Sequence, residues 1–206
     1  MTQKTPPLDL PAIDPARLTG LLDFLQAAEQ LKDTLRSGTT TGGRPESTAE
    51  HSWRLALMVV LFQTELAHVD VLKLLKLTLV HDLGEAISGD IPAPLQKPGD
   101  DRQERERRDF LTLCTPLPTD VAEELLSLWD EYAAAQTTES QIAKAYDKLE
   151  TMLQHVLMPR QDVPFYEFNL GYGRERTDCC ALTRQIRERV DGLTRSKMAD
   201  AGREIA

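Results

Sequence analysis

Four histidines occur in the sequence, His51, His68, His81 and His155, and one of them is followed directly by a carboxylate, His81-Asp82. A lone His-Asp dipeptide arises often by chance, so its surroundings decide its meaning. This pair ends a strongly apolar stretch, where each unpaired polar group costs roughly 1–3 kcal/mol unless hydrogen bonds or a cation satisfy it. Glu85 follows His81 by four residues and Asp82 by three, so on a helix all three project towards neighbouring parts of one face, with Asp90 in the turn beyond. His51 starts the preceding apolar helix and Asp147 falls on a later one. A mixed imidazole and carboxylate set without sulfur suits a first-row divalent ion such as Mn, Co, Fe or Zn. The chemistry open to such a set is hydrolysis by a cation-activated water. Each residue also has a plainer role: a first-turn residue facing water for His51, a satisfied core pair for His81-Asp82, a solvated helix acid for Asp147, and closure of a helix and turn for Glu85 and Asp90.

Helices must position these groups. Asp14 reads as an N-cap with Pro15 at the first helical position, and the leucines from Leu18 to Leu31 recur near helical spacing, so a first helix is expected to end around Arg36. Ser37 to Gly43 has no apolar anchor and reads as a loop. Ser47 and Glu50 have the spacing of a capping box before a second, nearly all-apolar helix. A third begins near Asp70 and runs to His81-Asp82-Leu83, and Gly89 and Pro92 then turn the chain. The charged run from Asp101 to Phe110 reads as the solvent face of a fourth helix and Asp120 to Ala135 as a fifth. Thr138 with Gln141 resembles another capping box before a sixth, whose stripe contains Ile142, Tyr146, Leu149, Leu153 and Val156 and which Pro159 ends. The aromatic stretch from Val163 to Gly173 reads as a loop that covers the site or meets a partner chain, followed by a last helix of about 18 residues. No alternating strand pattern competes, so the expected fold class is all-α, a compact bundle of about six to seven helices. Residues 1–13 are expected to be an arm, 14–193 a single domain and 194–206 a tail.

Composition narrows the function classes. With 206 residues, 41% hydrophobic and 28% charged, the chain is an ordinary globular one. Its net charge of −9 argues against binding nucleic acid polymers or an anionic membrane, so a phosphate-bearing substrate must be caught locally. No apolar run is long enough to span a bilayer, and the first residues lack a signal-peptide core, which makes a cytoplasmic location the expectation. Cys114, Cys179 and Cys180 are odd in number and lack CxxC spacing, so reduced thiols are expected.

The ordered pattern H…HD…D, realised as His51, His81-Asp82 and Asp147, resembles the HD-domain metal-dependent phosphohydrolases. The wider strings ESTAEHSWRLALM, HDLGEAISGDIP and AYDKLE are similar to the 5′-deoxynucleotidase branch, which removes phosphate from deoxyribonucleoside 5′-monophosphates. The resemblance runs roughly from Leu18 to Leu157. It implies that His51, His81, Asp82 and Asp147 hold one divalent cation, Mg being a further candidate. It also implies that Glu85 orients or deprotonates the attacking water, that Asp90 contacts the sugar or assists proton transfer, and that Arg36 meets the substrate phosphate. The family often places a tryptophan after that arginine, whereas this chain has Ser37, so deoxyribose selectivity does not carry over. A homodimer is a tendency of the family, and no heptad pattern supports or opposes one here.

Other readings fit the same residues. An HD hydrolase of a signalling nucleotide or nucleoside triphosphate is one, and a non-catalytic nucleotide-sensing module is another; retained Glu85 favours an enzyme. Arg36 would also suit the C-terminus of a helix through the macrodipole, and Arg44 shares that ambiguity. His68 and His155 read as structural or surface residues, and Trp53 and Trp129 as core or interface aromatics.

Overall fold

In the computed structural model, which describes residues 10–92, 95, 99, 101–159 and 161–203, local sequence signals set most helix starts. Helix α1 (Pro15–Ala28) begins where Asp14 accepts from the Arg17 amide at 2.9 Å. Helix α2 (Thr48–Leu61) begins at the Ser47/Glu50 capping box, and α3 (Val71–Val80) at Asp70, which accepts from the Lys73 amide at 2.9 Å. The expected arm lies mostly outside the described residues.

The region between α1 and α2 departs from the expected helix and loop. Helix α1 stops at Ala28, a 3-10 turn covers Glu29–Lys32, and β1 (Leu35–Thr39) pairs antiparallel with β2 (Pro45–Ser47). Arg36 therefore stands on a strand. The turn closes through the Thr40 amide on the Arg44 carbonyl at 2.8 Å, with Gly43 at a φ of +83° that side-chain-bearing residues rarely adopt. Gln154 donates from Nε2 to the Thr39 carbonyl and so ties the hairpin to the centre of the molecule.

A second departure concerns the end of α3. The helix does not run through the His-Asp pair: His81 caps it, and a separate short helix, α4 (Glu85–Ser88), follows. Gly84 lets the next helix pack closely against this break, because a Cβ there would lie 2.5 Å from the Glu106 carbonyl oxygen. Helix α5 (Arg102–Leu113) brings that carbonyl and buries Phe110 against Trp129 of α6 (Thr119–Ala134), ring centroids 6.2 Å apart.

Helix α7 (Thr138–Leu157) is the axis, packed against α2, α3, α6 and β1. Its capping box is Thr137 with Ser140, one residue earlier than the expected Thr138 and Gln141. The stretch read as an aromatic loop is instead α8 (Val163–Gly171), capped by Asp162, followed by the short α9 (Arg174–Thr177). Helix α10 (Ala181–Arg203) packs on α7 and α8 and runs past the expected length of about 18 residues. The all-α class holds, with short helices added to the six or seven expected and the small hairpin inserted. Leu55, Leu74, Leu77, Phe110, Tyr146 and Leu149 are fully buried at its core. Among the described residues no helix is long and apolar enough to cross a membrane.

Candidate metal centre

His51 enters from the first turn of α2, His81 from the cap of α3, Asp82 from the residue after it, and Asp147 from the middle of α7. One donor atom each from His51, His81 and Asp147 lies within 4.8 Å of the others. His51 Nε2 is 3.3 Å from Asp147 Oδ1 and 3.8 Å from Asp82 Oδ2, and His81 Nε2 is 3.0 Å from Asp82 Oδ2. Asp82 thus stands beside the three-residue cluster, against the same two nitrogens.

The hydrogen bonds behind the rings decide which nitrogen points inward with a lone pair. His51 Nδ1 meets a carboxylate oxygen of Glu150, and His81 Nδ1 donates to the Thr78 carbonyl at 3.0 Å. With a proton on each Nδ1, a neutral ring presents Nε2 as a lone pair, the form that a cation would bind. Both Nε2 atoms are buried and make no hydrogen bond of acceptable geometry, although carboxylate oxygens stand nearby. Orphaned imidazole nitrogens facing carboxylates are costly in a dry interior unless a cation joins them. The donor set of two imidazoles and carboxylates fits a divalent ion of the first transition row.

The charges agree. Burial and Arg36 oppose a positive charge on His51, but Glu150 and Asp147 outweigh them and lift it to about 9. Burial raises Asp147, yet Lys148 and His51 more than compensate and hold it well below the usual carboxylate range. Positive charge is drawn into this cluster, the demand that a metal ion satisfies. Asp147 Oδ2 also accepts from the Tyr132 hydroxyl at 3.0 Å and lies 3.0 Å from Lys148 Nζ.

A cavity of about 590 Å³ opens from the cluster, with His81, Asp82, Glu85, Asp90, Arg36 and Asp147 on its wall. Thr48 Oγ1 donates to Glu85 Oε2 at 3.1 Å, and burial together with the charges of Asp82 and Asp90 raises the Glu85 carboxyl well above its usual range. Burial also raises Asp90. Arg36 reaches Asp82 Oδ2 at 3.4 Å and Thr151 Oγ1 at 3.3 Å. All seven residues singled out in the sequence therefore meet at one site. Arg44 does not join them and pairs with Glu50 at the surface. Trp129 is core, whereas Trp53 is 65% exposed, and His68 is exposed while His155 lines the cavity.

Glu150 and Arg54 escaped the sequence reading. Glu150 is fully buried, and Arg54 donates to it from Nε at 2.5 Å. Burial pushes its carboxyl up, but His51 and Arg54 prevail and keep it below its usual value. The signal was present as spacing: Glu150 lies three residues after Asp147 and Arg54 three after His51, so each pair shares a helix face.

Comparison with known proteins agrees with this geometry. Residues 28–184 match the HD domain family. The 5′-deoxynucleotidase HDDC2 of Bos taurus is 35% identical over 136 residues, covering 65% of this chain and 65% of that protein. The 5′-deoxynucleotidase hdd1 of Schizosaccharomyces pombe is 31% identical over 146 residues, covering 68% and 72%. The match thus spans just under two thirds of the length of the Bos taurus protein. A crystal structure from Magnetospirillum magnetotacticum MS-1, titled a predicted metal-dependent phosphohydrolase, superposes with a TM-score of 0.65 at 29% identity, covering 91% of this chain and 96% of that one. With the match extending over most of its length and the paired histidines and aspartates at one centre, this chain belongs to the HD-domain family.

Proposed function

We propose that this chain is a metal-dependent phosphomonoesterase that converts nucleoside 5′-monophosphates, deoxyribonucleotides first among them, to nucleoside and phosphate. The observation that carries the reading is the pair of buried Nε2 atoms of His51 and His81, turned towards Asp147 and Asp82 with no hydrogen bond of their own. These four residues would hold one divalent ion, with Mn, Co, Fe, Zn and Mg as candidates. When bound, such an ion lowers the pKa of a coordinated water from 15.7 towards about 7 and offsets charge on phosphoryl oxygens.

The chain's own groups supply the remaining requirements, which for phosphoryl transfer are chiefly positioning and charge stabilisation. Glu85, held on the cavity wall by a hydrogen bond from Thr48, is placed to take a proton from the attacking water in its carboxylate form. Arg36 keeps its charge at any relevant pH and lies on the cavity wall, where it would meet the substrate phosphate. Asp90 reaches the sugar or passes a proton on. Ser37, next to Arg36 on the cavity wall, is a small residue, so ribonucleotides belong in the test beside deoxyribonucleotides. The similarity to proteins named 5′-deoxynucleotidases supports the substrate class.

The test is phosphate release from a panel of deoxy- and ribonucleoside monophosphates with Mn or Co added, and again after EDTA. Metal-dependent release is expected, and its absence from every substrate would overturn the reading. We also propose a homodimer through the exposed apolar stripe of α2, Trp53, Leu57, Val60 and Leu61. A Trp53→Glu variant should then sediment as a monomer, and a wild type that is already monomeric refutes the dimer.

A further inference from the structure

The cavity continues away from the metal cluster along α7. Asp147 and His155 are eight residues apart on that helix, about 12 Å along its axis. That distance is comparable with the reach of a nucleoside 5′-monophosphate from phosphate to base. At the far end the wall is formed by Phe165 and Phe168 of α8 and by His155, while Tyr172, its ring 5.3 Å from Lys148 Nζ, lines the stretch between them and Asp147. Phe168 and Tyr172 lie four residues apart with ring centroids at 5.5 Å, and Phe165 stands 5.0 Å from the His155 ring. Phe168 remains 40% exposed.

A chain of hydrogen bonds fixes the protonation of His155. Thr194 spends its one hydroxyl proton on the Val190 carbonyl at 3.0 Å, so towards Asn169 its oxygen only accepts. The Asn169 atom facing it at 3.0 Å is accordingly the amide Nδ2, which turns Asn169 Oδ1 to His155 Nδ1 at 2.8 Å. Oδ1 has no proton, so His155 Nδ1 carries one, and Nε2 is left as a bare acceptor. Burial lowers the pKa of His155 and keeps the ring neutral. With Nδ1 committed to the interior, the nitrogen that remains for the cavity is Nε2.

We infer that this end of the cavity is a nucleobase seat, in which Phe165, Phe168 and Tyr172 stack on the base and His155 Nε2 accepts one of its N–H groups. Resting on the phosphomonoesterase reading, it makes the substrate a nucleotide rather than a sugar phosphate, by contacts far from the reacting phosphate. A base on an aromatic platform binds about five- to a hundredfold more tightly than without it, and a single neutral hydrogen bond adds about three- to tenfold.

The test compares dAMP with 2-deoxyribose 5-phosphate, which keeps phosphate and sugar but lacks the base. Wild type should favour dAMP at least tenfold in kcat/KM. Phe168→Ala, at a half-exposed position that leaves the core intact, should raise KM for dAMP at least fivefold with kcat within twofold. His155→Phe, which keeps a ring and removes the acceptor together with the Nδ1–H bond to Asn169, should raise it about three- to tenfold. Neither change should alter the kinetics of 2-deoxyribose 5-phosphate by more than twofold. Equal use of both substrates by wild type, or equal damage to both by Phe168→Ala, overturns the seat while leaving the hydrolase standing. Ligand-observed NMR with deoxyadenosine, which has no phosphate to lose, judges the seat even if no phosphate is released from anything. Saturation transfer to the base protons that Phe168→Ala removes supports it, and no transfer in wild type refutes it.

Discussion

Replacing Glu150 by glutamine tests whether the carboxylate behind His51 sets the ligand nitrogen. Glu150 is fully buried and accepts from two donors at once, Nδ1 of His51 and Nε of Arg54. Glutamine has the same shape but only one acceptor atom, so in either orientation its amide N–H faces one of those donors. A buried donor left unsatisfied costs about 1–3 kcal/mol. His51 has an inexpensive escape: it moves its proton from Nδ1 to Nε2 and accepts from the new amide. That tautomer relieves the clash and destroys the ligand, because the nitrogen facing Asp147 then bears a hydrogen.

The expected outcome is therefore a folded protein with weakened metal binding. Loss of a supporting carboxylate typically costs about 10- to 100-fold in metal affinity, or about 1.4–2.7 kcal/mol. Competition with a chromophoric chelator, using Mn and Co in turn, measures the affinity. Long-range proton–nitrogen NMR on the diamagnetic apoprotein, at a pH above about 9 where the His51 ring is neutral, reports which of its nitrogens is protonated. Metal affinity within about threefold of wild type, with the His51 proton still on Nδ1, would refute the argument.

Glu85→Gln should retain metal and fold while turnover falls by about 10²–10⁴, the usual weight of a general base; a kcat within threefold of wild type removes Glu85 from that role. Gly84→Ala should overpack the break between α3 and α4, because the new Cβ would lie 2.5 Å from a backbone oxygen. A loss of about 1–3 kcal/mol is expected, with a Tm lower by roughly 2–4 °C per kcal/mol in a chain of this size; an unchanged melting curve speaks against the packing account. Tyr146→Phe removes a buried hydroxyl that has no partner, so calorimetry should show stability unchanged or raised by up to about 1 kcal/mol, and a clear loss would mean the hydroxyl is satisfied in solution.

The long helices and the site were legible in the sequence for related reasons. Capping residues and apolar stripes act locally, so Asp14, Ser47 and Asp70 marked α1, α2 and α3 without reference to the rest of the chain. The residues of the candidate metal centre announced themselves as polar groups in apolar surroundings. The hairpin was hidden because its strands, LRSGT and PES, have no alternating apolar face; a long-range bond from Gln154 and a glycine at positive φ help to hold it. Helices α4 and α9 are four residues each, too short for a 3.6-residue period to register. Helix α8 is apolar on nearly every side and so shows no period, yet Asp162 followed by Pro164 repeats the start signal of α1 and would have revealed it.

Whole-chain charge was the least informative quantity for the site. At −9 the chain should repel a phosphate monoester, yet the cavity wall holds Arg36, Arg102, Lys144, Lys148 and Arg176 against six carboxylates. Lys144 lies 3.9 Å above the Tyr132 ring, and burial brings its pKa down to about 8, so near neutrality it still carries most of its charge. With the two sides so close to balance, a divalent ion tips the cavity to positive. Removing it should then weaken substrate binding as well as turnover. One unit-charge pair at 4 Å contributes about 4 kcal/mol at an effective dielectric of 20, and solvent in an open cavity reduces that figure, so a tenfold loss is a conservative expectation. Titrating dAMP into chelator-stripped Glu85→Gln, and again after Mn is restored, separates binding from hydrolysis. Equal affinities with and without the ion would mean that fixed side chains alone attract the phosphate, and the charge-balance argument would fall.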